Sequence, residues 1–105
     1  SIFSKRILDS FEILQNEDPD LTNYMHGIVK AFKNKWQKTD HSGECLVHIN
    51  QMPGGGIFTH KLQKNCFETQ AFAEEIDALM GEIDALPYEH YQEQFNKNIH
   101  ITFNR

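Results

Sequence analysis

Arginine is scarce in this 105-residue sequence: Arg6 and Arg105 are the only two. Fifteen Asp and Glu stand against ten Lys and Arg, a formal net charge of −5. No basic stripe forms, which argues against nucleic acid as a partner. No apolar run approaches the roughly 20 residues that span a bilayer, and no stretch has the charged-then-apolar pattern of a signal peptide. Repeats and low-complexity segments are absent. Proline is limited to Pro19, Pro53 and Pro87, and cysteine to Cys45 and Cys66. A chain of this length makes one domain with a modest core, for which a disulfide is a useful supplement.

The two cysteines bracket the most informative stretch. Cys45–Gln51 and Ile57–Lys64 flank Met52-Pro53-Gly54-Gly55-Gly56, a β-hairpin signature. Pro53 presets φ for a turn, and the glycines supply positive φ where it is needed. Cys45, Val47 and Ile49 share one face of the first strand. With Gly54-Gly55 as the loop, Pro53 faces Gly56, Ile49 faces His60, Val47 faces Leu62, and Phe58 joins that face. A one-residue slip would put Thr59, Lys61 and Gln63 under the apolar row, so the first register is favoured. It brings Cys45 opposite Lys64, one step from Cys66, within reach of disulfide geometry. A Cys45–Cys66 bridge is favoured over two buried free thiols. It would stabilise the fold by roughly 3 kcal/mol and implies an oxidising compartment.

Residues 2–15 place Phe3, Ile7, Phe11 and Leu14 at helical spacing, and a helix is expected there. Leu21, Tyr24, Met25, Ile28, Val29, Phe32 and Trp36 form the apolar stripe of a second helix over 20–37, with Asp18, Asp20 or Thr22 as cap and Pro19 suited to its first position. Phe72, Ile76, Leu79, Met80 and Ile83 predict an acidic amphipathic helix over 68–83, and Tyr91 and Phe95 a short one over about 88–95. Asn98–Phe103 alternates strictly and reads as a strand burying Ile99, Ile101 and Phe103. The expected fold is α+β: a three-stranded antiparallel sheet, order 2-1-3 in chain order, with helices packed on one face and a disulfide stapling the hairpin. His48 and His100 fall on the open face and His60 on the covered one, so the three do not share a site. Two histidines lack the third ligand of a catalytic zinc site. No catalytic constellation, metal site or cofactor is expected.

What remains is edge geometry. Sheet edges accept extended peptides. The first candidate is the last strand: Lys97, Asn98, Ile99, His100, Ile101, Thr102 and Phe103. The second is the outer hairpin strand, with Ile57, Thr59, Lys61 and Gln63.

Several features in order carry a family resemblance: the Tyr24…Ile28…Trp36 helix, Cys45-Leu46-Val47-His48-Ile49 followed by Pro53-Gly54-Gly55-Gly56-Ile57, then Cys66, Phe72–Ile83, Leu86-Pro87 and the ending Phe95–Phe103. Together they resemble the C-terminal periplasmic domains of the TolA family of the Tol–Pal envelope system. The TonB C-terminal fold is related, but the cysteine pair favours the TolA type. The resemblance covers residues 20–105. His60 departs from it, standing where the family more usually has an aliphatic residue. Residues 1–19 lie outside it and would be an N-terminal helix, the end of a preceding helical linker. The resemblance implies a non-enzymatic periplasmic domain of an inner-membrane-anchored protein. It implies partners of the TolB and Pal type, TolQ and TolR acting through regions outside this sequence, and use by colicins or filamentous-phage attachment proteins. A TonB-like transducer domain, a small secreted inhibitor or immunity-type protein, and a histidine–carboxylate or metal enzyme are the rival readings.

Overall fold

A computed structural model describes residues 3–8 and 19–105, and of residues 3–8 and Phe58 the backbone alone. The elements are β1 (Phe3–Leu8), α1 (Pro19–Lys35), β2 (Glu44–Gln51), β3 (Ile57–Leu62), α2 (Gln70–Gly81) and β4 (Asn98–Asn104), with a 3₁₀ turn at Lys64–Glu68. The fold is α+β. Strands β2, β3 and β4 pair antiparallel in the expected order, with β2 between the other two. The sheet carries one strand more than expected: β1 pairs parallel to β4, giving the order β1-β4-β2-β3. Residues 3–8 are therefore strand and not helix. The rest of the expected N-terminal helix, with the Asp18 cap, falls outside the described residues.

α1 begins at Pro19, whose missing N–H costs nothing at a helix start. It ends soon after Trp36 N–H donates to Phe32 O, with Lys33 and Lys35 in the last turn, where cations suit the helix dipole. Its buried Tyr24, Ile28, Val29 and Phe32 join Phe72, Ala73, Ile76, Leu79 and Met80 of α2 in one core. The sheet contributes Val47, Ile49, Ile99, Ile101 and Phe103, all buried. Phe103 is the hinge of this packing: the rings of Phe32 and Trp36 meet it edge-on at 5.3 and 5.5 Å. His48 and His100 alternate with these residues on the opposite face, half-buried.

The Cys45–Cys66 disulfide is present, with Cα atoms 4.2 Å apart. It ties the start of β2 to the turn after β3. The hairpin register is Val47↔Leu62 and Ile49↔His60, as polarity requires, but a bulge at Asn50/Gln51 pairs Gln51 with Ile57. The Pro53–Gly56 pairing therefore does not form, and Met52 N–H donates to Gly56 O instead. Strand alternation places Gln51 on the inward face with Cys45, Val47 and Ile49. Its Nε2 donates to Tyr24 Oη and to Asn96 O, at 3.0 and 2.7 Å, and so links α1, the hairpin and the approach to β4.

One further expectation changes. Residues 88–95 form consecutive turns, because His90 takes a left-handed φ of 72° that no α-helix accommodates. The hairpin tip is also less free than its glycines suggest. Leu86 N–H donates to Gly55 O at 2.7 Å, and a Cβ on Gly55 would lie 1.9 Å from Leu86 O. Gly55→Ala should cost about 3 kcal/mol by chemical denaturation, combining a clash with backbone and a φ of +89°. Gly54→Ala, also at positive φ but facing open space, should cost only about 1 kcal/mol.

Candidate functional site

Both outer strands of the sheet were expected to be open, and one is not. β4 is bonded to β2 on one side and flanked on the other by β1, in the register Phe3↔Ile99 to Leu8↔Asn104. The residues Asn98, Ile99, His100, Ile101, Thr102 and Phe103 thus lie inside the sheet. Lys97 precedes the strand and its carbonyl accepts from Gln51 N–H. The physical reason is plain: an unpaired β4 edge needs donors and acceptors, and the segment at 3–8 supplies them.

The outer edge of β3 has no partner strand among the described residues. Gln63 N–H donates to Leu46 O. Bonded pairs alternate along an antiparallel ladder, so Thr59, Lys61 and Gln63 turn their backbone groups toward β2. The outward groups belong to His60 and Leu62, a correction of parity to the second candidate set. Beside this edge, Leu62, Phe67, Gln70, Ala73, Glu74 and Asp77 line a groove against α2. His60 Nε2 lies 2.8 Å from Asp77 Oδ1 and joins edge to helix. Phe67 is 55% exposed.

On the open face His48 and His100 sit directly opposite on β2 and β4. Their rings stack at 3.8 Å with planes 6° apart. Burial pushes the His48 pKa down, and the neighbouring His100 and Lys61 push it the same way. Asn50 Nδ2 donates to Thr59 Oγ1 across the next rung. Among the described residues no three His, Cys, Asp or Glu side chains converge as a metal site would require.

A polar cluster escaped the sequence reading. Glu75 of α2 accepts from Trp36 Nε1 at 2.6 Å, from Arg105 Nη1 at 2.6 Å and from the Thr39 hydroxyl. His41 Nδ1 lies 3.3 Å away. Arg105 also donates to Gln37 O and stacks over Trp36, 4.5 Å from the ring centre. This closes the chain end onto α2 and the loop after α1. Glu75 belongs to the acidic amphipathic helix expected over 68–83; the one available signal was Arg105, one of only two arginines in the chain.

Neither a scan of protein-family models nor a search of curated proteins finds a match for this chain.

Two titrations follow from these contacts. Burial alone raises the Glu75 pKa, but the Thr39 and Trp36 hydrogen bonds and the Arg105 charge outweigh it and hold the carboxyl below its ordinary 4.5. A lowered carboxyl pKa contributes stability above 4.5 that is lost as pH falls through the folded value. Glu75→Gln should cost roughly 3 kcal/mol at neutral pH and flatten the acid limb of a denaturation series below pH 4.5. For His48, the neutral ring is favoured in the fold, a contribution present above 6.5 and lost as pH falls through the lowered value. Followed by NMR, His48 should titrate below 6.5, and His100→Asn should move it part of the way back.

Proposed function

We propose that this chain is a non-enzymatic protein–protein interaction domain that takes an extended polypeptide as an added strand. The observation that supports this is the parallel pairing of residues 3–8 along Ile99–Asn104. That side of β4 takes up a strand remote in sequence, using backbone bonds that any extended segment can offer. The rows of Ile99, Ile101 and Phe103 on one face and His100 and Thr102 on the other would set side-chain preference. The β3 edge, with His60 and Leu62 outward, is the second docking line.

The resemblance to TolA-type domains gives this activity its setting. In that reading the domain works in the periplasm of a Tol–Pal system and binds TolB- or Pal-type proteins. TolQ and TolR act on it through other regions, and colicins or filamentous-phage attachment proteins exploit the same edge. The disulfide fits an oxidising compartment.

The test is an amide-shift titration with a disordered TolB-type segment, run on the labelled chain and on its Lys5→Pro/Arg6→Pro variant. Saturable shifts along β4 or β3 are the expected result. Shifts confined to the helices, or none in either protein at millimolar peptide, would overturn the proposal.

A further inference from the structure

Among the described residues β1 is the only parallel neighbour in an otherwise antiparallel sheet. It contributes six residues at an outer position, and residues 9–18 tether it to α1. Its register puts positions 3, 5 and 7 on the row of the buried Ile99, Ile101 and Phe103, and positions 4, 6 and 8 on the row of His100, Thr102 and Asn104. The sequence at those positions is Phe3, Lys5, Ile7 and Ser4, Arg6, Leu8. It holds two cations and no acid, in a chain of net charge −5.

We infer that β1 is a tethered stand-in for the partner strand: it fills the docking edge of β4, and a partner must displace it. The inference rests on the strand-addition reading above and adds two things to it. The first is the partner's chemistry. A competitor for the same rows is an extended segment running parallel to β4, with apolar residues at alternate positions and at least one cation, matched to the acidic charge of the rest of the chain. The second is regulation. A short tether gives the cis strand an effective concentration in the millimolar range, so a free peptide of equal intrinsic affinity competes poorly below that concentration. The apparent dissociation constant in trans rises by the reciprocal of the fraction of molecules whose edge is open. Whatever sequesters β1 elsewhere would switch the domain on.

β1 is suited to this role. An outer strand bonds on one side only, so releasing it leaves the β2–β3–β4 ladder, the disulfide and the aromatic contacts around Phe103 in place. The region can therefore open at a cost below that of global unfolding.

The probe is a synthetic peptide with the sequence of residues 1–10, added to the full chain and to the Lys5→Pro/Arg6→Pro variant. Adjacent prolines remove a ladder donor whichever of the two faces β4. The variant should bind the peptide at least about ten-fold more tightly than the wild type. In the wild type, saturating peptide should speed hydrogen exchange at amides 3–8 while the β4 amides stay protected. That second arm decides the matter even where the variant folds poorly. Equal affinity of the two proteins, or binding to the wild type with amides 3–8 still protected, would overturn the gating role and leave strand addition standing. Binding to neither would overturn both.

Discussion

A β-strand carries two rows of backbone hydrogen-bonding groups, and the position of β4 depends on both being met. One row bonds to β2, and this pairing sets the apolar faces of Val47, Ile49, Ile99, Ile101 and Phe103 side by side under the helices. The other row meets β1. Leaving it bare beside a buried apolar row would create a sticky edge. Under the proposed strand addition, a partner would use in trans the same backbone groups that complete the sheet in cis.

Around that sheet the chain is held at its ends and its tip by contacts remote in sequence. The disulfide fixes the open end of the hairpin. Leu86 caps the tip through Gly55 O. Glu75, Arg105 and Trp36 lock the C-terminal end of β4 to α2. These contacts hold the hairpin and the C-terminal end of β4 against the rest of the core.

What was legible in the sequence was what local pattern determines. Alternation fixed the face of β4, polarity fixed the register Val47↔Leu62, and the placement of Cys45 and Cys66 at matching hairpin ends gave the bridge. α1 and α2 followed from apolar stripes at helical spacing. Residues 3–8 were not legible, because Phe3 and Ile7 satisfy both a helical i, i+4 step and a strand's even spacing. A strand there depends on pairing with a segment at the far end of the chain. The Asn50/Gln51 bulge and the Glu75 cluster were hidden for the same reason: Gln51 is placed by Tyr24 and Asn96, and Glu75 by Trp36 and Arg105. The expected open edge at residues 98–103 is occupied, because residues 3–8 form a strand beside it and not the expected helix.

The measurement that bears most directly on this account is a cross-strand NOE spectrum of the free, isotope-labelled chain. The account predicts Hα–HN contacts in the parallel pattern between residues 3–8 and 99–104, together with slow exchange of the β4 amides that point away from β2. Fast exchange of those amides, with no contacts to residues 3–8, would show an open edge and contradict it.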